Sequence, residues 1–196
     1  MQWVVALGRV VLPLLLIVAM GFVYAKDNLY FDNGAGGADW RIGKPKVTWL
    51  SAHRQPSLTE ARQFALALVN RDRQLNGLKP LVEDPLLAQA AQNHAADMLK
   101  RNYFAHKSPE GKTPSDRFAQ VGGQGGAGEN IFMQTGTIGI SITNGLLEQF
   151  QKGWMYSPGH RQNLLEPSYT RFGYGIVADS VSGQAYAVQN FARPKP

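Results

Sequence analysis

Histidine is the side chain whose ordinary pKa lies closest to neutrality, and without cysteine few other groups can exchange protons or bind metals there. This chain has four histidines and no cysteine. Two histidines lie in segments rich in turn-forming residues, Phe104-Ala105-His106-Lys107-Ser108-Pro109 and Ser157-Pro158-Gly159-His160-Arg161. Loops of this kind carry sites more often than cores do. A third segment, Gly128-Glu129-Asn130, sets a carboxylate at the end of a glycine-rich stretch, where backbone can approach a ligand closely. His106, Glu129 and His160 are therefore the candidate catalytic residues and the candidate metal ligands. A divalent metal such as Zn2+ uses such a set of two imidazoles and one carboxylate. An acid–base pair with an orienting carboxylate uses the same set. The separations of 23 and 31 residues match no compact motif such as His-Glu-x-x-His, so both readings stay open.

Other candidates have plainer readings. His94 falls on or beside the apolar face of a helix and reads as a packing residue, while His53 reads as solvated. Ser157 precedes a proline and reads as a helix cap, not a nucleophile. Glu148 stands one position off an apolar stripe and reads as solvated. No Gly-x-Ser-x-Gly elbow and no Gly-Lys-Ser or Gly-Lys-Thr phosphate loop occurs.

The elements that must position these groups follow from periodicity. Ser57 and Glu60 have capping-box spacing, and Ala61, Phe64, Ala65, Leu68 and Val69 recur at three and four, which predicts a helix over about 58–75. Asn76-Gly77 ends it. Asp84-Pro85 opens a second helix with Leu87, Ala91, Ala95 and Met98 on its apolar face. Thr113-Pro114-Ser115-Asp116 starts a short third, through Phe118. Asn130 to Met133 reads as a strand, and Ile142, Leu146, Phe150 and Trp154 line a fourth helix. Ser157-Pro158 caps another short turn. Phe172, Tyr174 and Ile176 alternate, as do Tyr186, Val188 and Asn190 beyond a polar turn, which predicts a β-hairpin. Helices first and paired strands last, without a βαβ rhythm, indicate an α+β domain with an antiparallel sheet.

Outside residues 58–196 the chain changes character. From Val10 to Ala25 run 16 uncharged, mostly apolar residues, preceded by Arg9 and followed by Lys26. This length falls between a secretory signal and a spanning helix, so residues 1–25 are read as a signal peptide or a membrane anchor. The preceding positive charge sends the remainder across the membrane. Residues 26–57 read as a linker, although Trp40 and Trp49 are large aromatics that a free tether would waste, so part of this stretch is expected to pack on the domain. The net charge of +6 is spread along the chain and forms no basic stripe, which argues against nucleic acid as a partner.

In order along the chain, several segments together resemble one family: Asn70-Arg71, Leu78-Lys79-Pro80-Leu81, Tyr103-Phe104-Ala105-His106, Gly128-Glu129-Asn130-Ile131, Trp154 through Leu165, Gly173-Tyr174-Gly175 and Gln189-Asn190-Phe191. The chain resembles the CAP superfamily of cysteine-rich secretory, antigen 5 and pathogenesis-related 1 proteins, in its cysteine-free bacterial branch. The resemblance spans about 60–193. It implies an α-β-α sandwich with a central antiparallel sheet, an extracytoplasmic location, and a cleft in which two histidines and two acids face each other and, in some members, hold a divalent metal. His106, Glu129 and His160 match three of the four. The second acid falls at Ser157, so the tetrad becomes a triad, and Glu148 lies too early to replace it by simple alignment.

The expectation is a CAP-domain protein outside the cytoplasm, whose cleft binds a metal, a lipid or another cell-envelope ligand. Two alternatives stand beside it. One is a metal-dependent hydrolase acting on peptides or envelope polymers, with Glu129 or His106 as base. The other is a structural or adhesion domain in which Glu129 ties loops together.

Overall fold

A computed structural model describes residues 30–32 and 40–195 of the chain. The apolar segment read as signal or anchor, within residues 1–25, lies outside them. Among the described residues no helix is long and apolar enough to cross a membrane.

The domain begins with α2 (Leu58–Leu75), where Ser57 and Glu60 form the expected capping box. Its apolar stripe is buried at Ala61, Ala65, Leu68 and Val69. Gly77 turns the chain away with φ 74°, a backbone angle that a Cβ disfavours. β3 (Val82–Glu83) follows, then α3 (Pro85–Arg101), whose first-turn N–H groups at Leu86 and Leu87 donate to the Asp84 carboxylate. α4 (Pro114–Gln120) starts on a second capping box, Thr113 with Asp116. β4 (Gly128–Gln134), α5 (Asn144–Tyr156), α6 (Pro158–Leu164), β5 (Arg171–Asp179) and β6 (Gln184–Ala192) complete the domain.

The main sheet has the order β3-β5-β6-β4. β5 and β6 form the predicted hairpin, with Phe172 opposite Phe191 and Gly175 opposite Val188. β4 adds to β6 antiparallel, which sets Glu129 beside Asn190 and Asn130 beside Gln189. The edge pair departs from the expected antiparallel sheet: β3 runs parallel to β5. β3 is two residues long and sits in a segment the sequence reads only as a loop, so it offers no alternation to reveal its pairing.

Helices cover both faces, giving the expected three layers. On one face the backbone of β5 lies directly against α3. A Cβ at Gly175 would fall 2.3 Å from the Gln92 backbone nitrogen, and one at Gly173 would fall 2.2 Å from that of Ala88. On the other face Phe172, Tyr174 and Ile176 join Leu68 of α2 and Phe150 and Trp154 of α5 in one core. The Trp154 indole donates to the Ile131 carbonyl at 3.1 Å, which ties α5 to the strand that carries Glu129.

Part of the expected linker is docked structure. β1 (Tyr30–Asp32) pairs with β2 (Trp40–Ile42), and in β2 Trp40 and Ile42 are buried on either side of exposed Arg41. The short α1 (Trp49–Ala52) follows, closed by a Thr48–Ser51 capping box. No period in residues 26–57 signalled these elements, because each is only three or four residues long.

Candidate functional site

Glu129 is the hub of the site. Its position in β4 turns the side chain between α3, α4 and the loop after α3, where it is 1% exposed. Arg117 of α4 donates from Nη2 to Oε2 at 2.6 Å, and His106 Nδ1 lies 2.9 Å from Oε1. A carboxylate surrounded by donors accepts, so the proton shared with His106 sits on Nδ1 and the ring presents Nε2 outward. The His106 side chain is 52% exposed, which makes it the part of this cluster that solvent reaches.

His94 stands behind the same carboxylate. Its Nε2 is 3.8 Å from Glu129 Oε1 and donates to the Ala105 carbonyl at 3.0 Å, one residue before His106. Burial pushes its pKa below the ordinary histidine value despite the Glu129 charge, so the ring is held neutral. Tyr103, at the base of the same loop, donates to Asp97 at 2.5 Å, and its hydroxyl is pushed above the ordinary range by burial and then by that carboxylate.

The second candidate histidine comes from a separate helix. α6 begins at Pro158 and carries His160 in its first turn. Its backbone is fixed to β4 by amides: Asn130 Nδ2 donates to the His160 carbonyl at 3.1 Å, and Asn163 Nδ2 to the Glu129 carbonyl at 3.1 Å. Half-buried His160 has its pKa lowered first by burial and then by the facing charge of His106. The structure thus sets His106 against Glu129 and anchors the backbone of His160 to the next residue of the same strand, with His160 close enough to feel His106 electrostatically.

A three-ligand metal centre does not fit this arrangement. Both Glu129 oxygens are engaged, one by a guanidinium whose positive charge opposes a divalent ion, and among the described residues no group of three such side chains could hold a metal. What the donor set can do directly is bind a polar ligand and move a proton at His106 Nε2.

Ser157 is the N-cap of α6 by position, yet its side chain makes no cap hydrogen bond. Glu148, read as solvated, is buried. Its carboxylate pairs with Arg71 and accepts from the Lys46 backbone N–H at 3.1 Å, away from the histidines. His94 is buried as read, but it also belongs to the site. Two groups went unsingled by the sequence reading. Arg117 follows the Thr113-Pro114 helix start, where a basic residue beside buried Phe118 was the available signal. Asn163 lies five residues beyond Pro158 inside the Trp154–Leu165 segment that carries part of the family resemblance.

Comparison with known proteins points one way. The model of the cysteine-rich secretory protein family, CAP, matches residues 66–191. The uncharacterized protein YkwD of Bacillus subtilis (strain 168) is 37% identical over 122 residues, covering 62% of this chain and 44% of that protein. The uncharacterized membrane protein YlbC of the same strain is 31% identical over 151 residues, covering 76% and 39%. This chain therefore spans less than half the length of either relative. Among solved structures, an extracellular protein containing a SCP domain from Bacillus anthracis matches with TM-score 0.58 and 34% identity, over 70% of this chain and 41% of that one. An outer surface protein of Borrelia burgdorferi shares the fold, with TM-score 0.56 and 16% identity over 72% of this chain and 99% of its own.

Proposed function

The chain belongs to the CAP family of cysteine-rich secretory proteins, and from that premise we propose that it is an extracytoplasmic binding domain whose cleft between His106 and His160 takes a hydrogen-bonding ligand of the cell envelope. One observation carries this reading: a buried carboxylate, Glu129, pairs through one oxygen with Arg117 and spends its other oxygen on orienting an imidazole that is 52% exposed. A fold that needed only to tie loops together would bury both partners. Support for the location comes from the apolar segment in residues 1–25, read as signal or anchor, and from the similar Bacillus anthracis protein, described as extracellular.

Calorimetry tests it, with soluble envelope glycan and peptide fragments and with lipid vesicles titrated into the full chain and into His106→Ala/His160→Ala. Binding of one class that the double variant loses supports the reading. Equal heats in both proteins overturn it. Zn2+ belongs in the same series: a divalent metal would have to displace His106 or Arg117 from Glu129, so weak binding that Arg117→Gln strengthens is the expected result.

A second reading, hydrolysis, draws on the same dyad. With Nδ1 turned to Glu129, His106 Nε2 is placed to take a proton from water, the role an oriented imidazole performs in acyl transfer. Turnover of an envelope peptide or glycan, abolished by His106→Ala, distinguishes catalysis from binding alone.

A further inference from the structure

The segment before the domain is joined to the histidine cleft by two routes. The first is an aromatic clamp. Trp40 is buried at 3% exposure, packs edge-on to Tyr156 with ring centroids 5.4 Å apart, and lies under the Arg161 guanidinium at 4.3 Å from its ring centroid. Arg161 is the residue after His160, and its Nη1 donates to the Met155 carbonyl at 2.8 Å. Trp40 therefore grips the first turn of α6, next to the cleft imidazole. A guanidinium stacked over an indole face adds an electrostatic attraction to the packing.

The second route is a chain of hydrogen bonds through the core. Asp72 collects four donors on its two oxygens: the Gly43 N–H at 2.8 Å, Arg71 Nε at 2.8 Å, Arg71 Nη2 at 3.1 Å and Gln151 Nε2 at 2.8 Å. A carboxylate held this way only accepts, so Gln151 must turn its NH2 toward it and its carbonyl oxygen away. That oxygen accepts from Gln189 Nε2 at 2.9 Å. Gln189 in turn offers its own oxygen to Asn130 Nδ2 at 3.2 Å, and Asn130 Nδ2 reaches the His160 carbonyl. Gln151, Gln189 and Asn130 are each at most 1% exposed, so no water competes to turn an amide over. One acid at the far end thereby fixes the orientation of every amide up to the backbone of His160.

The same acid docks the segment. Besides the Gly43 N–H, the Lys44 carbonyl accepts from Arg71 Nη1 at 2.9 Å and the Lys46 N–H donates to Glu148. The fit is close at Gly43, where a Cβ would stand 2.2 Å from Arg71 Cδ. We infer that residues 40–46 are a positioning strap for the cleft: docked, they hold α6 through Trp40 and polarise the amide chain through Asp72, and lifted, they release His160 from its place opposite His106. Trp40 and Asp72 are thus positioning residues of the site, and tension or displacement at the N-terminal side of the domain would be felt at the imidazole. The inference rests on the reading of that cleft as the ligand site, but its test needs no ligand.

The test is nuclear magnetic resonance of the full chain in detergent micelles with [13Cε1]-histidine, read at fixed pH with amide exchange in α6. Trp40→Leu fills the space without an aromatic face, and Trp40→Phe restores one. In Trp40→Leu the His160 signal is expected to shift and broaden, and the α6 amides to exchange at least about fivefold faster, while the His94 signal stays in place. Trp40→Phe should return the His160 signal most of the way. Asp72→Asn, which leaves the clamp intact, should shift the His160 signal as well. A His160 signal and α6 exchange unchanged in Trp40→Leu and Asp72→Asn, whatever happens to their melting temperatures, would overturn the strap and leave it as packing. Loss of ligand binding in His106→Ala decides the cleft reading separately.

Discussion

Glu129 and Asp72 are buried to the same depth, each side chain 1% exposed, and each faces an arginine, yet their remaining partners differ in kind. The four donors of Asp72 are two from Arg71, a backbone N–H and a glutamine amide, none of which titrates near neutrality. Glu129 has Arg117, then His106 at 2.9 Å and His94 at 3.8 Å, and the first of these imidazoles opens to solvent. A saturated carboxylate builds structure. One that hydrogen-bonds an imidazole open to solvent can respond to a ligand, and this difference, not burial or ion pairing, separates the candidate site from the scaffold.

Removing each carboxylate is the coarsest way to break the comparison. Glu129→Ala strands the buried Arg117 guanidinium with no other anion within an ion-pair distance among the described residues, so a loss of about 3–5 kcal/mol is expected. Asp72→Ala strands less charge, because Arg71 keeps Glu148, and should cost roughly 2–3 kcal/mol from the orphaned Gly43 and Gln151 donors. Urea unfolding of both variants measures the two figures. Equal losses would show that the cleft carboxylate is as structural as its counterpart.

The protonation difference gives a finer test. The His94 and His160 pKa values are lowered from 6.5 by burial, so folding favours their neutral forms. Their contribution is complete above pH 6.5 and is lost as pH falls below it, with a slope of about 1.4 kcal/mol per pH unit for each proton taken up on unfolding. Stability measured between pH 7.5 and 5 should therefore decline toward acid, and His94→Gln, which can still reach the Ala105 carbonyl, should remove part of the slope. Asp72→Asn should lower the whole curve without changing its steepness. A slope insensitive to His94→Gln would place the titrating groups elsewhere.

How far the sequence foretold these two regions depends on how local their causes are. The caps at Ser57, Asp84 and Thr113 and the hairpin were legible because each rests on a short pattern, and the His106–Glu129 contact joins two candidates named from contiguous segments that carry a resemblance. Arg117, the second role of His94, the parallel β3–β5 pair and the amide chain from Asp72 to Asn130 join residues far apart in the chain, by side chains whose types are common on surfaces. Glu148 is the clearest case. One position off an apolar stripe usually means solvent, and only the arrival of Arg71 and Lys46 from elsewhere makes that position an interior one.

The smallest expected effect lies at the two serines that begin helices in these two regions. Ser57 closes a full capping box on α2, the helix of Asp72, and Ser57→Ala should cost about 1 kcal/mol. Ser157 begins α6, the helix of His160, with its hydroxyl unused for the cap, so Ser157→Ala should change stability by less than about 0.5 kcal/mol. Chemical denaturation of the pair reads the difference directly. A loss at Ser157 as large as that at Ser57 would mean that the Ser157 hydroxyl closes the α6 terminus as Ser57 closes α2, and that the two helix starts do not differ in their capping.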